Sequence, residues 1–113
     1  MDYRLKRQND FNEVFQKGKR VYSNSVTLLY LKKNKLKIGI SVSKKHGNAV
    51  KRNRIKRLIR AVYVPLLKNF KNCYVVFMPK TGIEFSFEDF SRDIQYLLKR
   101  ENLVYEDNSL KTS

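Results

Sequence analysis

A long central segment without a single carboxylate constrains this chain more than any other feature of its sequence. Residues 14–83, between Glu13 and Glu84, contain no Asp or Glu, whereas Lys and Arg recur throughout. A fold must place these cations on its surface, where they repel one another unless a polyanion relieves the repulsion. Nucleic acid is therefore the first candidate partner, and a merely solvated basic face is the alternative.

Length and composition bound the architecture. A chain of 113 residues with 42% hydrophobic side chains fits one domain, 1–113, around one core. Its net charge of +15 exceeds what solubility requires. The single cysteine, Cys73, excludes a disulfide framework and is expected to be buried. Without a signal-peptide core or a run long enough to span a bilayer, we expect a cytoplasmic protein that makes no membrane contact.

The first half of the chain predicts one helix and one hairpin. Asp10 and Glu13 have the spacing of a capping pair, and Gly18 is a suitable end for the helix. Between them, apolar residues recur at helical spacing: Phe11, Val14 and Phe15. Alternating segments at 26–31 and 36–42, separated by the polar residues 32–35, then predict a β-hairpin.

The second alternating segment sorts its side chains onto two faces of a sheet. Its apolar residues are Leu36, Ile38, Ile40 and Val42. The small or polar residues between them are Lys37, Gly39, Ser41 and Ser43. We expect a helix to cover the apolar face; the other face is either the floor of an open groove or an ordinary solvated surface.

The second half predicts a helix, a strand and a final helix. Asn48 is a suitable N-cap for the main helix, which Pro65 should end near Val64 or kink. The apolar run 74–78 predicts a buried strand. Ser86 and Asp89 resemble a capping pair before a helix whose apolar face is Phe87, Phe90, Ile94, Leu97 and Leu98. Residues from about Asp107 onward are predicted to be a frayed tail.

The main helix carries the strongest binding signal. Its apolar residues fall within one arc: Ile55, Leu58, Ile59, Val62 and Leu66. Cations occupy the opposite side, and Asn53 among them suits a directed hydrogen bond, although a simple surface asparagine is the alternative. With the basic loop before the helix, the predicted RNA-binding residues are Lys44, Lys45, Asn48, Lys51, Arg52, Asn53, Arg54, Lys56, Arg57 and Arg60.

No catalytic set is visible in the sequence. His46 has no carboxylate near it in sequence, and one histidine does not make an acid–base pair. Glycine-rich phosphate loops, paired-histidine metal motifs and nucleophile elbows are also missing. We therefore expect no catalytic residue, no metal ligand and no protein-bound cofactor, so any reaction must draw its chemistry from a partner.

Residues 41–60, with Arg52, Asn53 and Arg54 at their centre, closely resemble the signature of the bacterial ribonuclease P protein component. The resemblance extends to Asp10 and Phe11, Val14 and Phe15, Gly18, and the segments 37–42 and 74–79. It implies an α+β domain in which a four-stranded sheet packs with three helices. It also implies αβββαβα order and a left-handed βαβ crossover, a fold of the ribosomal protein S5 domain 2-like class.

The same resemblance implies a function. Proteins of this family assist a catalytic RNA that removes the 5′ leader of precursor tRNA, and Mg²⁺ held by the RNA subunit carries out the hydrolysis. The implied partners are the catalytic RNA subunit and precursor tRNA, and the protein is expected to be monomeric without RNA. A general RNA-binding protein, such as a ribosomal protein or chaperone, and a self-sufficient nuclease are the competing classes.

A groove for the leader is also implied by the resemblance. It would lie between the first helix and the open sheet face, lined by Phe11, Phe15, Lys37, Gly39, Ser41 and Ser43. By pattern alone, Phe11 and Phe15 fit a core better than a stacking platform. Many relatives carry a groove tyrosine at the position of Leu29, whereas here the aromatic residue is Tyr30, which should face away.

Overall fold

A computed structural model describes residues 3–105 and shows an α+β fold with one mixed sheet of four strands. In chain order the elements are α1 (Gln8–Lys17), β1 (Lys19–Tyr22), β2 (Val26–Lys32), β3 (Lys37–Ile40), α2 (Ala49–Tyr63), β4 (Cys73–Pro79) and α3 (Phe87–Arg100). Short 3₁₀ helices, Lys44–His46 and Val64–Asn69, precede and follow α2. The fold class and the αβββαβα order are as predicted, and the predicted tail lies outside the described residues.

Strand β4 lies inside the sheet, whose order is β1-β2-β4-β3. It pairs antiparallel with β2 and parallel with β3. The predicted hairpin between β2 and β3 is therefore wrong, and the hairpin joins β1 to β2 instead, with Tyr22 opposite Thr27. The reason is burial: in β4 every residue except Met78 is buried, so this strand needs cover on both faces and takes an interior position.

Each face of the sheet carries its own apolar cluster. Helices α2 and α3 cover one face, where Ile59 and Ile94 pack with Ile38, Val75 and Phe77. Helix α1 covers the other face, where Val14 packs with buried residues of the sheet: Leu29, Tyr74 and Val76. The expectation of a small and polar second face is wrong for the sheet as a whole, because β2 and β4 supply apolar side chains there that β3 lacks.

The start of α1 differs from the prediction. The helix begins at Gln8 after Arg7, and no side chain caps it, so Asp10 is not the N-cap but lies in the first turn. Gly18 ends the helix as expected, for a reason of space. A Cβ atom there would lie 2.5 Å from the carbonyl oxygen of Val14 and 2.9 Å from that of Tyr30, so a side chain would separate α1 from the sheet.

The other two helices begin as predicted. The Asn48 side chain accepts a hydrogen bond from the backbone N–H of Lys51 (3.0 Å), and α2 ends before the 3₁₀ helix that contains Pro65. Ser86 and Asp89 form a reciprocal capping box at the start of α3. Phe87, a member of the predicted apolar face of α3, is 39% exposed, because it lies in the first turn of the helix, at the edge of the core.

The chain before α1 covers the free edge of β3. The N–H of Leu5 donates to the carbonyl of Ile38 (2.9 Å), and the N–H of Ile38 donates to the carbonyl of Tyr3 (2.7 Å). These bonds protect an edge that would otherwise expose unpaired backbone groups. They also fix where α1 starts over the sheet.

Candidate nucleic-acid interface

Helix α2 carries six cations and no acid. They are Lys51, Arg52, Arg54, Lys56, Arg57 and Arg60, of which Arg52 and Lys56 are half-buried and the others exposed. Within residues 3–105, no carboxylate lies in an ion pair with any of them. Their charge is therefore not neutralised by the protein and is available to phosphate groups.

The cations divide between two flanks of α2, because Ile59, Val62 and Tyr63 are buried between them. Lys51 and Arg54 line the flank that faces residues 80–86. Arg60 lies on the other flank, beside Tyr63. Burial raises the pKa of the Tyr63 hydroxyl, and the guanidinium group of Arg60 partly opposes that rise.

Asn53 and Arg57 occupy the outermost part of α2, where both side chains are exposed. Asn53 makes no side-chain hydrogen bond within the described part of the chain. Its amide is thus free to bond to a partner, and the directed bond to RNA stays a prediction.

The loop before α2 is fixed by His46. The backbone N–H of Ser43 donates to Nδ1 of His46 (3.0 Å), which requires the ring proton to be on Nε2. Nε2 then donates to the carbonyl of Pro79 (2.6 Å) at the end of β4. Because both ring nitrogens bond to backbone groups, His46 has a structural role: it holds Lys44 and Lys45 next to the first turn of α2.

On the opposite face of the sheet, Phe11 lies directly on Gly39. A Cβ atom at Gly39 would meet the ring of Phe11 at 2.6 Å, so the glycine allows this close approach. The ring of Phe15 follows, with its centroid 6.3 Å from that of Phe11. Both rings are half-buried against the apolar cluster beneath α1 that contains Val14 and Leu29, so each ring packs on the core on one side and is open on the other.

The structure places the remaining predicted groove residues in three different positions. Ser41 is half-buried and continues the pairing of β3, since its N–H donates to Phe77 (2.9 Å). Lys37 lies opposite Tyr74, at the other end of β3. The side chain of Ser43 accepts from the N–H of Lys45 (3.3 Å), so it belongs to the basic loop and not to the floor of the groove.

One set of side chains on β1, β2 and β4, on the face that α1 covers, was not predicted. Tyr22 lies opposite Thr27, and Thr27 opposite Met78, so these three side chains form a row across the face that α1 covers. Tyr22 is 61% exposed. By strand alternation Ser41 shares a side with Gly39 and continues the row. Only the pairing of the strands reveals this set.

Tyr30 faces away from the groove, as predicted. Its hydroxyl donates to a carboxylate oxygen of Glu101 (2.7 Å) after the end of α3. Burial, together with the charge and hydrogen bond of Glu101, raises the pKa of Tyr30 to about 12. Leu29 has no aromatic ring and is fully buried beneath α1. Neither Tyr30 nor Leu29 therefore offers a ring to the predicted groove.

Groups that could perform chemistry are sparse in the part of the chain that the structure describes. Among residues 3–105, no three His, Cys, Asp or Glu side chains lie close enough to hold a metal ion. Cys73 is buried as expected, and burial raises its thiol pKa to about 11, which keeps it protonated and inert. No helix between residues 3 and 105 is long and apolar enough to cross a membrane.

A cleft of about 610 Å³ between α2 and residues 80–86 was not predicted. It lies on the Lys51 and Arg54 flank of α2, and Val50 and Ile83 belong to its lining. The one sequence signal for it is Val50, an apolar residue in the cationic first turn of α2.

Comparison with known proteins gives consistent results. Residues 1–102 match the Ribonuclease P family. The ribonuclease P protein component of Bacillus pumilus is 40% identical, over 97% of this chain and 96% of that protein. That of Listeria monocytogenes is 38% identical over 86% of each chain. A structure of the Staphylococcus aureus RNase P protein has a TM-score of 0.83 at 26% identity, covering 92% of this chain and 99% of that one. The Thermotoga maritima protein gives a TM-score of 0.77 at 27% identity, covering 86% and 96%.

Proposed function

We propose, from the premise that this chain belongs to the ribonuclease P protein family, how it contributes to its ribonucleoprotein. A ribonuclease P protein component takes part in tRNA processing together with RNA. The finer proposal is that α2 and its preceding loop bind the catalytic RNA, and that the groove under α1 binds the 5′ leader of precursor tRNA. Because the proposed RNA partners are in the cytoplasm, we place the protein there as well.

The observation that carries the proposal is the set of six α2 cations without ion-pair partners among the described residues. Such a set costs folding free energy through self-repulsion, and bound phosphates remove that cost. Arginine suits the task because its planar fork donates two parallel hydrogen bonds to phosphate oxygens. Lys44 and Lys45 add charge at the N-terminal end of α2, which itself favours anions.

The groove supports the second contact. Unpaired nucleotides of varied sequence are bound by stacking, because every base has a flat apolar face. Phe11 and Phe15 offer half-open rings along one wall, and Tyr22 offers another at the far edge of the sheet. Ser41 and Thr27 between them can accept or donate hydrogen bonds without demanding one base.

The hydrolysis itself we assign to the RNA subunit and the Mg²⁺ it holds. Support comes from His46, whose ring nitrogens are both bonded to backbone groups, and from Asp93 and Glu101, whose carboxylates accept structural hydrogen bonds from Ser25 and Tyr30. In this assignment the protein provides binding and positioning, and no residue of the chain acts as acid, base or nucleophile. The protein without RNA is proposed to be a monomer.

A reconstitution tests the proposal. Precursor tRNA with a leader, and the same RNA with the leader cut to one nucleotide, are incubated with the cognate catalytic RNA at low Mg²⁺, with and without the protein. We expect stimulation only when both subunits are present, and more with the full leader. Cleavage by highly purified protein alone would refute RNA-borne hydrolysis; equal stimulation of both substrates would refute leader binding.

A further inference from the structure

We infer that the cleft between α2 and residues 80–86 is a nucleotide subsite, which receives the base of an unpaired nucleotide of the RNA bound to α2. This inference rests on the proposed function, because it extends the same RNA contact. The surface of α2 would then make two kinds of contact with RNA: its cations would bind phosphates, and the apolar cleft beside it would pack against a base.

Apolar side chains are exposed on both walls of the cleft. Val50 on α2 is 74% exposed, and Ile83 on the facing segment is 71% exposed. Phe85 is half-buried, and Phe90 is buried at the base of the cleft. Two exposed aliphatic residues facing one space are costly in water and favour an apolar occupant.

The rim of the cleft is strongly cationic. Four cations line the cleft with a single acid, Glu84: they are Lys45, Lys51, Arg54 and Lys80. None of the four lies in an ion pair with a described carboxylate. An apolar slot inside a cationic rim matches a nucleotide, which combines a flat base with a phosphate. An acidic protein segment with only aliphatic side chains would satisfy the rim but offers no flat group for the slot.

The wall formed by residues 80–86 is held at both ends. The N–H of Lys80 donates to the carbonyl of Ser25 (3.0 Å), and the capping box of Ser86 fixes the other end of the segment. Gly82 has a φ of +93°, a conformation that L side chains rarely adopt, so the turn that presents Ile83 depends on glycine. A prearranged slot loses less entropy when a base enters.

A tryptophan reporter tests occupancy directly, since the chain contains no Trp. In Ile83→Trp, we expect a single-stranded hexauridylate to quench the fluorescence and an abasic hexamer of equal charge to leave it nearly unchanged. The matched control is Tyr96→Trp on α3, an exposed site (58%) outside the cleft, which neither oligomer should quench. Equal quenching by both hexamers would overturn the inference, because the slot would then not bind a base.

Affinity for the catalytic RNA gives the second test. Val50→Ser combined with Ile83→Ser should weaken binding about fivefold and leave the salt dependence unchanged, because no counterion is released by apolar contact. Arg54→Ala should instead reduce the salt slope, and Tyr96→Ser should change neither quantity. Wild-type affinity in the double variant would overturn the cleft inference. If the wild-type protein also failed to stimulate cleavage, the proposed function itself would fail, so the two failures are distinguishable.

Discussion

Helices α2 and α3 pack on the same face of the sheet and use their charges in opposite ways. Two of the three acids of α3 are engaged: Asp89 caps the helix with Ser86, and Asp93 accepts from the N–H (3.0 Å) and hydroxyl (2.6 Å) of Ser25. Glu101, just after α3, bonds to Tyr30 and Lys19. On α2, by contrast, no cation meets a carboxylate within residues 3–105.

The difference separates folding from binding. Charges with buried or reciprocal partners stabilise the native state, and their removal leaves a donor unsatisfied. Charges without partners add only repulsion to the free protein and become favourable when phosphates arrive. Substitutions on α3 should therefore change stability, whereas substitutions on α2 should change RNA affinity.

The largest expected effect comes from Asp93→Ala. The variant leaves the backbone N–H of Ser25 without its buried acceptor, so the free energy of unfolding should fall by about 3 kcal/mol. Urea denaturation measures this loss. The catalytic RNA affinity of the folded protein should match the wild type, and a loss of affinity with unchanged stability would break the division between the two helices.

The α2 side is tested by Arg52→Ala and Arg57→Ala. Each variant should reduce the salt slope of binding to the catalytic RNA by about one unit and weaken binding about tenfold at moderate salt. Stability should hold or rise slightly, because repulsion falls. Lys99→Ala, which removes a cation from α3, is the matched control and should leave the salt slope unchanged. Unchanged salt slopes in both arginine variants would contradict the proposal that α2 binds the catalytic RNA.

Gly39→Ala tests whether the face of the sheet under α1 acts separately from α2. The new methyl group must displace the ring of Phe11, which should cost about 1 kcal/mol of stability and disturb the groove. Stimulation should lose its dependence on leader length, measured with the two precursors described above. Affinity for the catalytic RNA should not change, and a parallel loss of that affinity would show that the groove and α2 are not separate sites.

The smallest effect concerns pH. Burial alone would raise the pKa of Asp93, but hydrogen bonds from Ser25 and Arg92 outweigh it and lower the pKa below the usual value. Hydrogen bonds from Tyr30 and Lys19 lower the pKa of Glu101 as well. A depressed pKa contributes stability above the unfolded-state value and loses it as pH falls through the folded-state value, so the contribution of Glu101 should decline below its ordinary pKa of 4.5 and that of Asp93 below 3.8. In urea denaturation, Glu101→Gln should make the free energy of unfolding fall less steeply with pH than in the wild type. A wild-type free energy of unfolding that rises on acidification would contradict this prediction.

Local signals predicted the helices well. Asn48 as N-cap of α2, Pro65 beyond its end, and the Ser86 and Asp89 capping box all depend on residues a few positions apart, and the structure confirms them. The prediction that Asp10 caps α1 is wrong, because the start of α1 follows a distant contact, the pairing of Tyr3 and Leu5 with Ile38.

Features that depend on distant pairing were not predictable from one sequence. Alternation in β2 and β3 suggested that these neighbours pair, yet the apolar run of β4 needs cover on both faces and lies between them. The row from Tyr22 to Met78 exists only because of that order. For the same reason the cleft was not predictable, since Val50 and Ile83 line one space only when the segment after β4 returns to α2.

The most direct test of the central claim is precursor tRNA cleavage by the cognate catalytic RNA at low Mg²⁺. Wild-type protein, the Arg52→Ala and Arg57→Ala double variant, and Lys99→Ala are compared beside protein without RNA. The account predicts strong stimulation by wild type and Lys99→Ala, little by the α2 double variant until salt is lowered, and no cleavage by protein alone. Full stimulation by the α2 double variant at every salt concentration would contradict it.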